Sequence, residues 1–499
     1  MSFLVNNAAA LAVGAVISVM GWMFGGTRGD LLVPVVPWLF AMMAEVLLCF
    51  PQRRSGENTY DARDRVWKEL KGDPLTWVVV GFMVLLMIPF ANNGLCVTCD
   101  AAAIAQGLSA NPPAKILPFC VSRIDHLNVF LWFLTALPAM LIVHRSLEPR
   151  GKRLVLELAV WNGVALAVLG FVQHALEAPG PLWSEASGLV VGSVGDFFST
   201  FGYPNMAGDY FTLLFGISVA LWRDRSERIR DDRKTDATAK RPPFWASHFF
   251  LIPAVIFFYA ALNTLSRAAI MLVTVSAVVY FLHAFVSYLA KLHRAQRVKA
   301  AAVGILVVGA IVFAASLFAP EDIKREVDTI GTTEVLDRVT GRGQYHTRVA
   351  TAIWREHKLF GVGGWGYVHF CLPTMTPEER KNMQTVGGIN VHNDYLQFLA
   401  EHGVVGFGAL FAMVTLLIWP VGRMWRRLAR DTRFMKKKDL PPRPVQIFVL
   451  PASAFCLLVA LVCTLIHAFG DCPLRSPAVL TLFFVTLAAL PGFLPEKGE

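Results

Sequence analysis

Charged residues are scarce in this chain of 499 residues: they make up 16% of it, whereas hydrophobic residues make up 55%. A soluble globular chain carries about 25% charged residues. Apolar stretches of about twenty residues recur from one end to the other, each long enough to cross a ~30 Å hydrocarbon core. This composition excludes a soluble enzyme, a disordered chain and a secreted disulfide scaffold. The sequence predicts an all-α, polytopic membrane protein with about 12 transmembrane helices.

Motifs for metal, nucleotide and redox chemistry are also missing. The predicted outer side has no Asp-x-Asp motif and no His/Cys cluster with metal-ligand spacing, and the sequence has no Walker-type loop. Its CxxC motif, Cys96 to Cys99, has no second CxxC and no nearby histidine. A structural disulfide from Cys96 or Cys99 to Cys120, or unpaired thiols, is favoured over a redox centre. We therefore expect no metal, no ATP and no other cofactor.

The net charge of +10 comes from a few short loops. We predict spans at 4–24, 31–50, 76–92, 127–144, 154–176, 207–222, 248–266, 268–289, 300–318, 404–422, 446–468 and 478–494. The segments 51–75, 145–153, 223–247, 291–299 and 423–445 then share one side and carry 31 of the 46 Lys and Arg. Basic residues in short loops stay in the cytoplasm, so these loops and both termini are predicted to be cytoplasmic. The charge indicates topology and does not indicate nucleic-acid binding.

One outer connection is far longer than an ordinary loop and divides the chain. The predicted regions are transmembrane helices 1–9 over 1–318, a large outer loop over 319–403, and helices 10–12 over 404–499. Helix signals within the loop cover Arg342–Lys358, the capping box Thr376–Glu379 and Asn393–His402, with Gly403 as the stop. Long loops are usually functional, so we expect a helical cap on the outer membrane face.

Two sets of arginines on the outer side are candidates for anion binding. Ser266-Arg267 lies between two apolar runs, and an arginine at a membrane boundary is costly unless it is paired or lines a polar cavity. Arg338, Arg342 and Arg348 lie in the long loop, and planar guanidinium groups suit a diphosphate. The alternatives are an Arg267 that snorkels to lipid phosphates and loop arginines that pair with neighbouring carboxylates.

Two further features stand at predicted helix starts. His392 lies beside free backbone N–H groups, where negative charge is stabilised, and a neutral imidazole there could accept a proton from a hydroxyl. Asn205 follows Pro204 where a loop re-enters the membrane. A surface histidine and a purely structural helix cap are the alternative interpretations.

The order of these features resembles the O-antigen ligase/polymerase superfamily. Pro204-Asn205, Ser266-Arg267, the long loop with its arginines, and His392-Asn-Asp-Tyr-Leu before Glu401-His-Gly follow one another between roughly 195 and 425. The last two motifs are the most specific. This family consists of bacterial inner-membrane proteins with GT-C-like helical folds, which move glycans carried on undecaprenyl diphosphate.

The resemblance implies a role for each matched residue. Its Ser-Arg pattern falls on Ser266-Arg267, its loop arginine on Arg342 or Arg348, and its histidine on His392. In the family the arginines hold the donor diphosphate, the histidine engages the acceptor hydroxyl, and no metal or nucleotide is required. The expected site is catalytic His392, diphosphate-binding Arg267, Arg342 and Arg348, and supporting Ser266, Asn205, Asn393, Asp394 and Glu401.

The activity that the resemblance implies is glycosyl transfer in lipopolysaccharide biosynthesis. The donor would be undecaprenyl diphosphate-linked glycan and the acceptor lipid A–core oligosaccharide, at the periplasmic face of the inner membrane, among membrane lipids and without nucleic acid. We favour an O-antigen ligase because one outer loop dominates. An O-antigen polymerase and a protein O-oligosaccharyltransferase share the motifs and remain open. A secondary transporter is more distant, since the loop lengths show no 6 + 6 symmetry.

Overall fold

The structure of the protein is a computed structural model with all side chains. It describes residues 6–54, 56–93, 113–114, 116–184, 197–235, 243–293, 296–304, 306, 324, 346–374, 390–434 and 450–494. In chain order the main helices are α1 (Ala8–Trp22), α2 (Gly29–Cys49), α3 (Thr59–Gly72), α4 (Pro74–Ala91), α5 (Arg123–Leu141), α6 (Pro149–Ala175), α7 (Pro204–Thr235), α8 (Leu251–Asn263), α9 (Arg267–Lys291), α10 (346–356), α11 (Gly366–Thr374), α12 (Asp394–Phe434), α13 (Ala452–Gly470) and α14 (Pro477–Ala489).

Eight of the described helical segments are long and apolar enough to cross a membrane. They contain α2, α4, α5, α6, α8, α9, α12 and α13. The protein is therefore an all-α polytopic membrane protein, which confirms the predicted fold class. Eleven of the twelve predicted spans coincide with a described helix. Most of 300–318, the remaining one, lies outside the described residues, so the count of twelve stays a prediction.

The centre of the bundle is the short helix α14. Every one of its 13 residues is buried, and a helix that is apolar all round belongs in a core. Crossing a membrane takes about 20 residues, so α14 is too short to span it alone. It packs against α1, α5 and α7.

Helices α7 and α13 run antiparallel and approach each other closely. A Cβ atom added to Gly216 of α7 would lie 2.4 Å from the Cβ of Ala460 in α13. Small residues let helix backbones come near each other in membrane proteins. The start of α7 therefore meets the end of α13, and their polar residues face each other there.

The basic loops meet at the opposite end of the bundle. Arg145 Nε is 2.6 Å from Asp73 Oδ2, and Arg153 Nε is 3.0 Å from Asp224 Oδ2. Arg54 Nε likewise lies 2.7 Å from Glu148 Oε1. These contacts join the described parts of three segments that the charge pattern assigns to one side. That this side is cytoplasmic remains a prediction.

The described part of the long loop packs beside the end of the bundle where α7 begins. Side chains from α10, α11 and the segment before α5 form a separate apolar cluster that includes Phe119, Val349, Ile353 and Tyr367. The predicted loop helix at 342–358 is present from 346 to 356. The capping box at 376–379, the arginines Arg338 and Arg342, and Cys96 and Cys99 lie outside the described residues. Cys120 is a buried free thiol that donates to the Pro89 carbonyl at 3.3 Å.

A glycine breaks α12 where the sequence predicts a stop. Gly403 has φ +61° and ψ −171°, and a Cβ atom there would lie 2.2 Å from the Leu359 carbonyl oxygen. The backbone N–H of Val404 donates to the Lys358 carbonyl at 2.9 Å. The part of α12 that belongs to the outer loop, from Asp394 onward, therefore ends at Gly403. The segment after α10 packs against this break and hydrogen-bonds to it.

Candidate active site

His392 and Asp471 form a pair at the end of the bundle where α7 begins. Nδ1 of His392 lies 3.2 Å from Oδ1 of Asp471. The imidazole side chain is 30% exposed, whereas the carboxylate is 9% exposed. His392 has φ +54°, in the left-handed region that few residues other than glycine adopt. Such backbone strain clusters at functional sites. We call this pair the outer pair.

The helix that follows His392 is fixed by its own side chains. Asn393 is its N-cap, because its Oδ1 accepts from the Leu396 N–H at 3.0 Å. Gln397 Oε1 accepts from the Val391 N–H at 2.9 Å. These two hydrogen bonds fix the turn that carries His392, and the turn sets the direction in which the imidazole points.

Asp471 is also held by donors from the next residue and from the start of α7. The Cys472 N–H donates to Oδ1 at 2.7 Å, and the Tyr203 hydroxyl donates at 3.1 Å. The side-chain amide of Asn205 also donates to this carboxylate. The predicted Pro204-Asn205 feature thus contacts the partner of His392 directly.

The charge of Asp471 decides which nitrogen of His392 is available. Burial raises the pKa of Asp471, but the hydrogen bond and charge of His392, the charge of His467 and the Cys472 N–H lower it to about 2. A charged carboxylate only accepts hydrogen bonds, so Nδ1 of a neutral imidazole carries the proton. Nε2 then has the lone pair that a general base needs. Burial and Asp471 raise the pKa of Tyr203, which keeps its hydroxyl proton for donation.

α10 brings a second histidine against His392. The rings of His346 and His392 meet edge to face with centroids 5.8 Å apart. His346 is buried, and its Nδ1 lies 2.8 Å from the Tyr367 hydroxyl oxygen. Arg348, two residues further along α10, is exposed. Residues two apart do not share a helix face, so Arg348 and His346 lie on different sides of α10.

Ser266 and Arg267 lie at the start of α9, next to the start of α7. The Ser266 hydroxyl accepts from the Ala269 N–H at 3.3 Å and so caps α9. A Cβ atom on Gly208 would lie 2.4 Å from the Ala269 Cβ, so the first turns of α7 and α9 touch. Arg267 is partly buried at this junction. The structure places Ser266 and Asn205 on adjacent helix starts, but gives no contact that joins Arg267 to His392.

The turn after α13 ties the His392 helix to the bundle. The Leu474 N–H donates to Asp394 Oδ2 at 2.9 Å, and Arg475 Nη2 lies 2.6 Å from Glu401 Oε2. The guanidinium of Arg475 also lies over the Trp365 ring, 4.9 Å from its centroid. Asp394 and Glu401 are therefore buried and engaged in this attachment. That they support catalysis stays a prediction.

The comparison with known protein families finds a match over part of the chain. Residues 252–412 match the model of the O-antigen ligase family. This stretch is similar to the O-antigen ligase family. This match confirms the resemblance seen in the sequence and supports a ligase- or polymerase-type function in bacterial glycan assembly. No curated protein matches the chain.

The stretch that matches the O-antigen ligase family contains only part of the candidate site. Ser266, Arg267 and His392 lie within the matched residues 252–412. Asn205 precedes them, and Asp471 follows them. The hydrogen-bonded group around His392 is therefore completed by residues on either side of the matched stretch.

Sequence reasoning missed Asp471, Arg475 and Tyr203. An acidic residue directly after an apolar span looks like an ordinary loop residue, and no local motif marks it. A usable signal was the Tyr203-Pro204-Asn205 motif, whose polar side chains at a membrane boundary require a polar partner.

Three side chains at the site lie close enough to share a metal ion. The ligand atoms of His392, Asp471 and Cys472 are within 4.8 Å of one another. Hydrogen bonds account for this arrangement, because Asp471 Oδ1 contacts His392 Nδ1 at 3.2 Å and the Cys472 thiol at 3.3 Å. Burial and the neighbouring carboxylates raise the pKa of Cys472 well above its usual value, so the thiol keeps its proton. Hydrogen bonds through Asp471 therefore connect all three side chains.

An apolar cavity of about 300 Å³ lies beside the site in the helix bundle. Most of its lining is apolar, with Phe133, Leu410 and Phe483 among the walls. Asp394, Glu401 and Arg475 also line it. The cavity thus combines an apolar body with a polar region next to the outer pair.

Proposed function

We propose that this protein is a glycosyltransferase that moves O-antigen polysaccharide from undecaprenyl diphosphate to a sugar hydroxyl of lipid A–core. The observation that carries the proposal is the outer pair, whose histidine lies in the stretch that matches the O-antigen ligase family and whose Asp471 leaves Nε2 free to accept a proton. The apolar cavity beside the pair suits part of a lipid-linked donor.

The chemistry requires one proton transfer and one activated leaving group. His392 Nε2 takes the proton of the acceptor hydroxyl while its oxygen forms a bond to the anomeric carbon of the donor. The bond from that carbon to the diphosphate oxygen breaks, and undecaprenyl diphosphate leaves with the electron pair. Asp471 keeps the imidazole in its productive tautomer and stabilises the imidazolium that forms, as the carboxylate does in a Ser-His-Asp triad.

The arginines would act on the leaving group. Charge-assisted bidentate hydrogen bonds from Arg267, Arg342 and Arg348 would hold the diphosphate and neutralise the charge that develops on it. The donor is already activated, so the reaction as proposed needs neither ATP nor a metal ion. We place the site on the periplasmic side of the bacterial inner membrane, with both termini in the cytoplasm.

The test is transfer with purified protein, lipid-linked glycan and rough lipopolysaccharide in the presence of EDTA. We expect polysaccharide to appear on lipid A–core, and loss of this product on chelation would overturn the metal-free mechanism. Deletion in cells separates the related activities. Polymerised glycan that stays on the carrier lipid supports the ligase, whereas a single repeat on the core indicates a polymerase.

A further inference from the structure

A second imidazole–carboxylate pair lies about one helical turn deeper in the bundle than Asp471. Nδ1 of His467 is 3.0 Å from Oδ1 of Asp209, and Thr464 donates to Oδ2 of the same carboxylate at 2.9 Å. The side chains of His467 and Asp209 are completely buried. We call them the inner pair. The proposed reaction makes no use of it.

The inner pair and the Asn205–Asp471 contact lie one helical turn apart between the same two helices, α7 and α13. Asn205 and Asp209 are four residues apart at the start of α7, while His467 and Asp471 are four residues apart at the end of α13. Residues four apart share a helix face, and the two helices are antiparallel. Asn205 therefore meets Asp471 on one level, and Asp209 meets His467 one turn below.

Asp471 is also joined to the inner pair through the backbone. Its N–H donates to the carbonyl of His467 at 2.9 Å, although Asp471 itself has left the helix with φ −157°. The position of the Asp471 carboxylate thus depends on where His467 holds the last turn of α13. A shift of that turn would carry Asp471 away from Nδ1 of His392.

Joining two helices through the inner pair lowers the stability of the fold. Nε2 of His467 is buried and has no hydrogen-bond partner among the described residues, and leaving a buried polar atom unsatisfied destabilises a fold. An apolar contact would hold the helices without that penalty. The charged or titratable groups around it are Asp209, Asp394, Asp471 and Cys463.

We propose that His467 and Asp209 are positioning residues, which fix the last turn of α13 so that Asp471 stays aligned with His392. This inference rests on the proposed function of His392 as the base. Its defining consequence is that the inner pair acts only through the outer pair.

The experiment is a double-mutant cycle on the initial rate of glycan transfer. Asp209→Asn should lower the rate roughly 10–100-fold, the loss that second-shell changes cause at metal sites. In an Asp471→Asn background the same change should add almost nothing, because residues that act as a unit are not additive. Thr212→Val is the matched control, since Thr212 is buried on α7 but donates to its own helix, at Gly208. It should keep the wild-type rate.

Two further variants separate positioning from folding. Thr464→Val removes only one hydrogen bond to Asp209 and should give a smaller loss in the same direction. The exchange of the pair, Asp209→His with His467→Asp, should recover part of the rate lost by Asp209→Asn. Additive losses in the Asp471→Asn background, or no loss in Thr464→Val and Asp209→Asn when both fold, would overturn the proposal.

A substrate-free measurement distinguishes this inference from the proposed function. Diethyl pyrocarbonate modifies exposed imidazole nitrogens, and mass spectrometry reports the rate at His392. Asp471→Asn and Asp209→Asn should both change that rate, whereas Thr212→Val should not. If Asp209→Asn leaves it unchanged, the inner pair does not position His392. If the modification changes but His392→Gln transfers glycan at the wild-type rate, the proposed function fails and the coupling stands.

Discussion

Nδ1 of His392 lies 3.2 Å from Oδ1 of Asp471, a residue 79 positions later in the chain. The two side chains come from different parts of the fold. His392 precedes the last helix of the outer loop, and Asp471 follows α13. Tyr203 and Asn205, at the start of α7, donate to the same carboxylate. Three chain segments therefore converge on one hydrogen-bonded group, and its integrity should control activity.

Asp471→Asn should lower the rate of transfer by about 10²–10⁴ while the protein still inserts and folds. An asparagine amide can donate to Nδ1, which would favour the tautomer with its proton on Nε2 and remove the base. Initial rates at saturating donor measure this effect. A wild-type rate in Asp471→Asn would show that the carboxylate does not orient His392.

The same residue predicts a dependence of stability on acid. The pKa of Asp471 is lowered to about 2 in the folded protein, against about 3.9 in an unfolded chain. Its ionisation therefore stabilises the fold above pH ~4, and this contribution disappears as the pH falls towards 2. The unfolding temperatures of wild type and Asp471→Asn in detergent should converge below pH ~4. A constant difference across that range would contradict this assignment.

The predicted topology can be tested with single cysteines in a cysteine-free background. Thr235→Cys should resist a membrane-impermeant reagent in intact cells, and Met375→Cys should react, because the basic loops are retained in the cytoplasm. Permeabilised cells provide the control, in which both positions should react. Labelling at 235 but not at 375 would invert the orientation and move the proposed site to the cytoplasm.

The sequence was sufficient for the features that depend on local patterns. Apolar stretches gave the positions of the helices, and Gly403 marked the break in α12 because only glycine fits against Leu359. His392 and Asn205 were found because each belongs to a short motif at a helix start. The partner of both was missed, since nothing in the residues around Asp471 indicates where the end of α13 lies.

The inner pair cannot be predicted from the sequence, for the same physical reason. His467 sits in an apolar span, and no motif around it indicates a partner. Its contact with Asp209 depends on the antiparallel register of α7 and α13, which is set by close packing at Gly216 and Ala460. Register of this kind is a property of tertiary packing, and the sequence of either helix alone does not contain it.

Arg267→Ala and Arg342→Ala should each reduce transfer strongly, because each would remove a charge partner of the donor diphosphate. Lysine at either position should restore only part of the rate, since it lacks the planar fork of arginine. Arg348→Ala is the comparison with a smaller expected loss, as Arg348 is exposed on α10. If Arg267→Ala transfers at the wild-type rate, Arg267 is an interfacial anchor and the donor assignment is wrong.

His392→Gln should reduce transfer by about 10²–10⁴, the range typical of losing a general base. Glutamine keeps the size and polarity of the side chain but cannot take up a proton, so the protein should fold normally. His369→Gln is a matched control, because His369 is also partly exposed but pairs with Asp125, 2.9 Å away. That control should keep most of the activity.

The dependence of the rate on pH separates a base from a binding residue. A reaction that needs a general base loses rate on the acidic side, and Asp471, whose pKa is lowered to about 2, stays charged through that loss. The residual rate of His392→Gln should lack this acidic limb. If the variant keeps both the rate and the limb, His392 is not the base. The acceptor hydroxyl would then have to be activated by Asp394 or Glu401, both of which the structure engages with the turn around Arg475.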